Sequence, residues 1–274
     1  MKTIGMIVPT ADNSFFSGLI QYSERYLRAQ GYTLLICSSD QDAEKEKNDL
    51  VSLVELGASG ILCVSGLNAL PDHLLKDEVP LVWVDRVPES SKPIPWVAND
   101  DAEAMKEATN VLIEKGCKNI LLVPGYLAEH QESPRVKGYR EALEEGGIEF
   151  CTDYVLNRKG EQSSETETEE LVREHLRKGN PVDGIITSSD RAAFGAMAAL
   201  RSVGYYVPED VKLISFDNSP YSTMGTPAIT ALDRNPKELA ETACKILLKQ
   251  INHEHDFPLE HRIPVSLVKR DSTR

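Results

Sequence analysis

Short apolar runs alternate along this chain with stretches whose apolar residues recur at helical spacing. Residues 3–8 (TIGMIV) form an apolar run stopped by Pro9, and residues 15–30 carry Leu19, Tyr22, Tyr26 and Leu27 along one side before Gly31. The first pattern predicts a buried strand and the second an amphipathic helix closed by glycine. The unit repeats. A strand over 32–37 (YTLLIC) is followed by a helix over 43–56 with Leu50, Leu53 and Val54 turned inward, and Gly57 ends it. Further strands are predicted over 60–64 (GILCV) and 80–84 (PLVWV), with a short helix over 71–76 between them.

Residues 88–95 break this texture with three prolines and two serines, the composition of a crossing between lobes. Trp96, Val97 and Ala98 then lead into an acidic helix start at Asn99, Asp100 and Asp101, and the alternation resumes. Helices are predicted over 101–115, 133–145, 171–177 and 190–203. The strands between them are predicted over 119–123, near 154–156, over 182–187 and over 211–216. Residues 228–232 read as a strand. Residues 236–251 read as a helix with Asn235 as its N-cap and Pro236 at its first position, and an apolar run over 263–268 as one closing strand. Such alternation forces mostly parallel sheets with right-handed crossovers. The expected class is α/β, with two doubly wound, Rossmann-like lobes.

The 274 residues, 41% apolar and 27% charged, suit a chain that buries a core. A formal charge of −13 argues against nucleic-acid binding by this surface, because phosphate recognition needs clustered lysine and arginine. No apolar stretch approaches a membrane span, and the first residues enter a strand without the charged and apolar regions of an export signal. The five cysteines are odd in number and scattered, which fits a reducing compartment. A cytoplasmic protein without membrane partners is expected.

The sequence lacks G-x-x-x-x-G-K-[ST], a strand-linked G-x-G-x-x-G, G-x-S-x-G, H-E-x-x-H and C-x-x-C. His253, Glu254 and His255 read as a solvated connection and not a metal site, and the acidic run 161–170 as a helix start that complements the dipole. No metal, cofactor or catalytic constellation is expected. What remains lies at strand ends: Phe15 and Phe16 after the first strand, Asp85 and Arg86 after the fourth, residues 129–135, Ser189 and Asp190, and Asp217 and Asn218. Carboxylates and arginines with aromatic rings suit a polyhydroxylated small molecule. Each also has a local reading: the phenylalanines can pack a helix start, Asp190 can cap its helix, and Asp85 and Asp217 can cap turns.

The stretches IGMIVPTADNSFFSGL, PLVWVDR, SPRVKGYREAL, DGIITSSDRAAFGAMAALRSVGYYVPEDVKLISFDNSP and PVSLVKRDSTR resemble the effector-binding core of the lactose-repressor (LacI) family of bacterial transcription regulators. The resemblance covers essentially the whole chain. It implies a periplasmic-binding-protein type I fold with three interlobe crossings, divided as 1–97 with 232–261 and 98–231 with 262–274. It further implies a cleft that closes on a small-molecule effector, here a carbohydrate, and a homodimer. Effector contacts are carried to Phe15, Phe16, Asp85, Arg86, Arg135, Ser189, Asp190 and Asp217, with Ser189 standing where many members have Asn and Asn218 where a second Asp is common. Thr3, Ile4 and Gly5 match the start of the family's core. The helix-turn-helix headpiece is therefore expected to be missing from this chain, and operator DNA to be reached only through it. Two alternatives remain open at this stage: a free sugar-binding protein for transport, and an α/β sugar-modifying enzyme.

Overall fold

The computed structural model describes residues 2–69, 79–125, 133–159 and 163–274. The chain divides into two units, Met1–Asn99 with Asn235–Pro264 and Asp100–Arg234 with Val265–Arg274. The divisions fall after Asn99, Arg234 and Pro264, two to three residues beyond the positions expected from sequence.

In the first unit, β1 (Lys2–Val8), β2 (Tyr32–Ser38), β3 (Ile61–Cys63), β4 (Leu81–Val84), β5 (Trp96–Asn99) and β10 (Glu260–Ile263) form one sheet in the order β10-β5-β4-β3-β1-β2. Every pairing is parallel. Parallel strands covered on both faces read as continuous apolar runs, which is why GILCV and PLVWV carry no alternation. Helices α1 (Ser14–Ala29) and α8 (Pro236–Ile251) contribute Leu19, Leu27, Leu239, Ala243 and Leu247 to one core layer, and α2 (Ala43–Glu55) contributes Leu50 and Leu53 to the layer around Trp83. Burying a leucine of this kind stabilises by about 1.5–3 kcal/mol, so these apolar stripes hold the strand ends in register.

The second unit has β6 (Ile120–Val123), β7 (Gly184–Thr187), β8 (Lys212–Phe216), β9 (Thr230–Asp233) and β11 (Ser266–Val268) in the order β11-β9-β8-β7-β6. All pairings are parallel except the antiparallel β11. Helices α3 (Asp101–Glu114) and α4 (Pro134–Glu145) pack together, as do α5 (Ser164–Arg177) and α6 (Asp190–Ser202). Two glycines permit these approaches. A Cβ on Gly138 of α4 would lie 1.9 Å from the Ala102 carbonyl oxygen of α3, and one on Gly195 of α6 would lie 2.1 Å from that of Glu165.

Three expectations are corrected. The closing run is two strands, because Pro264 interrupts it: β10 joins the first sheet and β11 the second. The strand expected near 154–156 is a 3-10 turn, Thr152–Tyr154, followed by a single bridge from Val155 to Leu122 of β6. The helix predicted over 171–177 begins earlier, at Ser164, capped by the Ser163 hydroxyl, within the acidic run 161–170 read as a helix start. A short helix, α7 (Tyr221–Met224), also follows the turn after β8. The helix expected over 71–76 lies outside the described residues, as do residues 129–132 of the stretch 129–135.

Candidate functional site

All strands of the first sheet are parallel, so the residues that follow them share one end. Asn13 caps α1 by accepting a 2.8 Å hydrogen bond from the Phe15 amide. The two rings that follow pack edge to face at 5.5 Å and are almost wholly buried. Phe15 and Phe16 thus belong to the core, while the Arg86 guanidinium sits 5.6 Å from the Phe16 ring centre. Asp85 takes a left-handed φ of 68° directly after β4, its amide bonded to the Val97 carbonyl and its carboxylate 3.9 Å from Arg86 Nε. A non-glycine residue in that region costs on the order of 1–2 kcal/mol, which Asp tolerates better than most.

The second sheet repeats the device. Asp217 follows β8 with φ 92°, and its amide bonds to the Leu232 carbonyl at 2.9 Å. Its side chain is 3% exposed and lies 3.7 Å from Nη1 of Arg234, the residue after β9. Arg234 also lies 3.8 Å from the carboxylate of Asp101, the first residue of α3. Asp101 accepts a 2.8 Å bond from Arg135 Nε, and the Arg135 guanidinium stacks 4.1 Å from the centre of the Phe216 ring. Asp101, Arg135, Phe216, Asp217 and Arg234 therefore form one continuous, alternately charged group at the carboxyl ends of the strands. The close approach at Gly138 allows it, since α4 must lie against α3 for Arg135 to reach Asp101.

Ser189 and Asp190 have internal partners. Ser189 is the N-cap of α6, its hydroxyl accepting from the Ala192 amide at 3.2 Å. Asp190 is the first helical residue and not the cap. It is 1% exposed and accepts from the Ser215 hydroxyl and, at 2.6 Å, from the Ser219 amide. Burial raises its pKa above the ordinary carboxylate value, and these bonds oppose the rise. Its carboxylate ties the start of α6 to the turn after β8. The Oγ atoms of Ser188 and Ser219, after β7 and β8, are buried and find no hydrogen-bond partner among the described residues. His253, Glu254 and His255 are solvent-exposed, and among the described residues no group of three or more His, Cys, Asp or Glu is placed to hold a metal ion.

Sequence reasoning missed three residues. Arg234 sits between a strand and a cap, where nothing in the local pattern distinguishes it. Asp101 was read as part of an acidic helix start. Glu46 carried a legible signal, since with Leu50 and Leu53 it lies at i, i+4 and i+7 on the inward stripe of α2. It is 1% exposed and holds the turn after β3 by accepting from Ser65 Oγ and, at 2.6 Å, from the Gly66 amide.

Residues 109–273 match the family model of the periplasmic binding protein-like domain. The catabolite control protein A of Priestia megaterium is 30% identical over 99% of this chain and 82% of its own length. The chain belongs to the LacI family of transcriptional regulators. The ribose operon repressor of Halalkalibacterium halodurans is 28% identical over 99% of this chain and 79% of its own. Among solved structures, a periplasmic binding protein/LacI transcriptional regulator from Alkaliphilus metalliredigens complexed with D-xylulofuranose superposes with a TM-score of 0.87, at 28% identity over 100% of both chains. A LacI family regulator from Enterococcus faecium with bound ribose superposes with a TM-score of 0.85, at 26% identity over 99% of this chain and 98% of that one. The fold of this chain is that of LacI-type effector domains, with two mostly parallel sheets.

Proposed function

We propose that this member of the LacI family senses a carbohydrate, and that Phe15, Phe16, Asp85, Arg86, Arg135 and Asp217 contact it. The observation that carries the reading is the repeated corner. Each unit presents a carboxylate in left-handed backbone directly after a parallel strand, with an arginine stacked on a ring nearby: Arg86, next to Asp85, on Phe16, and Arg135 on Phe216, the residue before Asp217, whose own cation is Arg234. Strained backbone of this kind persists where the fold over-determines it, and it clusters at ligand sites. Acceptor carboxylates and donor guanidinium groups match vicinal hydroxyls, and ring faces match the apolar faces of a sugar. Ser189, the cap of α6, and Asp190, which ties the start of α6 to the turn after β8, complete the proposed set of sugar contacts. The xylulofuranose and ribose complexes of the two relatives point to the pentose class.

The regulator responds by population shift: sugar favours one conformation, and that preference couples to DNA affinity by reciprocity. Operator DNA is held by a headpiece and not by this acidic stretch, whose net charge of −13 opposes phosphate contact. A binding role, not a catalytic one, accounts for the absence of an acid–base or nucleophile constellation from the motifs. A homodimer acting in the cytoplasm completes the reading. Its support is β2, the outermost strand of its sheet among the described residues, which exposes Leu35 and Ile36 along a sheet edge.

The test is a thermal-shift screen of pentoses, hexoses, disaccharides and their phosphates, with purines as the competing class. A ligand at a hundredfold excess over its Kd stabilises by about 2.7 kcal/mol. The reading expects a shift with at least one pentose and its loss in Asp217→Ala at unchanged fold. A shift that survives Asp217→Ala overturns the assignment of that residue, and a response to purines alone overturns the carbohydrate class.

A further inference from the structure

Asn218, the neighbour of Asp217, is also left-handed, with φ 49°. Its side-chain amide joins the turn after β8 to two distant stretches of the second unit, the end of β9 and the C-terminal segment. Oδ1 accepts from Arg270 Nη2 at 2.6 Å and from the Ser222 hydroxyl at 3.3 Å, and Nδ2 donates to Asp233 Oδ2 at 2.9 Å. Arg270 is itself held, its Nη1 donating to the Ile229 carbonyl at 2.7 Å and its amide to Thr230 Oγ1 at 2.8 Å. The C-terminal segment beyond it is tied down by Ser272, whose hydroxyl donates to the Leu213 carbonyl at 2.6 Å. Asp233 ends β9 and is followed by Arg234, the cation beside Asp217.

A guanidinium only donates and a carboxylate only accepts, so these partners admit the amide in one orientation. We propose that Asn218 is a positioning residue: clamped between Arg270 and Asp233, it holds the corner that carries Asp217 and fixes where Asp217 stands relative to Arg234. The inference rests on the reading of Asp217 as an effector contact, and it names the device that keeps that contact in place. Asp at this position would still satisfy Arg270 but would set a second carboxylate against Asp233, with Asp217 adjacent. The charged groups facing residue 218 are Asp233 from β9 and Arg270 from the C-terminal segment, and Arg234 faces its neighbour. Exchanging the two residues, Asn218→Asp with Asp233→Asn, returns a donor opposite an acceptor and keeps the bond to Arg270.

The experiment is amide hydrogen exchange by NMR on the whole chain. Asn218→Asp speeds exchange at Asp217 and Ser219 by about tenfold, the scale of a local opening, while Ile185 and Ile186 of β7 are unchanged. The exchanged pair returns both corner amides to their original rates, which loss of general stability would not do. Corner exchange that is unchanged in Asn218→Asp, that rises equally in β7, or that stays fast in the exchanged pair overturns the proposal. Should Asn218→Asp not fold, the exchanged pair decides alone: original corner rates support the proposal, and fast ones overturn it. Calorimetric titration of Asp217→Ala with D-ribose and D-xylulose tests the effector reading separately, since sugar affinity retained there removes the contact and leaves the corner measurement standing.

Discussion

The Arg234 guanidinium lies between two carboxylates, 3.7 Å from Asp217 and 3.8 Å from Asp101, with 5% of its side chain exposed. Removing the cation takes a counter-charge from the buried Asp217 carboxylate, while Asp101 keeps its bond from Arg135. Arg234→Met is expected to cost about 3 kcal/mol, the lower end for a severed buried pair because Asp101 retains some exposure. Urea unfolding followed by circular dichroism measures it, and Arg234→Lys should recover part of the loss.

Gly138→Ala adds a methyl group where the Ala102 carbonyl oxygen already stands, 1.9 Å from the new Cβ. The α3–α4 pair must separate, and the 2.8 Å bond from Arg135 to Asp101 lengthens with it. Overpacking of this kind costs about 1–3 kcal/mol. A lowered thermal midpoint together with weakened sugar binding is the expected result, whereas a lowered midpoint at full affinity would separate helix packing from the site.

Asp190→Ala leaves the Ser215 hydroxyl and the Ser219 amide without their buried acceptor, at about 1–3 kcal/mol for each group. The pH dependence has a definite sign. Burial raises the folded pKa of Asp190, so the folded state holds its proton more tightly than the unfolded one. The contribution of this group to stability is fullest below its ordinary value of 3.8 and falls as pH rises through its raised folded value. Denaturant titrations across that window should show this slope in the parent and not in the variant.

His175 behaves oppositely. It is 3% exposed, packs edge to face on Tyr154 at 4.9 Å, and its pKa is lowered first by burial and then by Lys178. Below its ordinary value of 6.5 the unfolded chain binds a proton that the folded chain resists, so stability falls as pH drops through that value toward the folded one. His175→Gln should flatten that limb of the stability profile measured by chemical denaturation.

Ile36, 48% exposed on the outermost strand β2, tests the dimer. A lysine on an edge strand blocks strand-to-strand association. Ile36→Lys is expected to convert a sedimenting dimer to monomer at micromolar concentration with an unchanged far-ultraviolet spectrum. A parent chain that sediments as a monomer removes β2 as an interface.

Most elements were legible because their signals are local. Apolar runs, helical stripes and caps such as Asn235, whose side chain accepts from the Glu238 amide, are decided within a few residues. The strand-end residues were legible for the same reason, since the carboxyl end of a parallel strand is known once the strand is. Partner choice was not. Asp190 read as a cap, yet its acceptors serve Ser215 and Ser219, 25 and 29 residues away. The run 263–268 read as one strand, because local pattern does not reveal which sheet each half joins on either side of Pro264.

By itself, then, the sequence determined the alternation of strand and helix, the parallel sheets this compels, and the acidic and aromatic groups at the strand ends. The tertiary structure alone decided that Arg234 stands beside Asp217, that Glu46 and Asp190 are internal, and that Asn218 bridges Asp233 and Arg270. The physical reason is range. Backbone preference and amphipathic period act over a turn or two of chain, whereas the partner of a buried polar group is whichever complementary atom the packed sheets bring within about 3 Å.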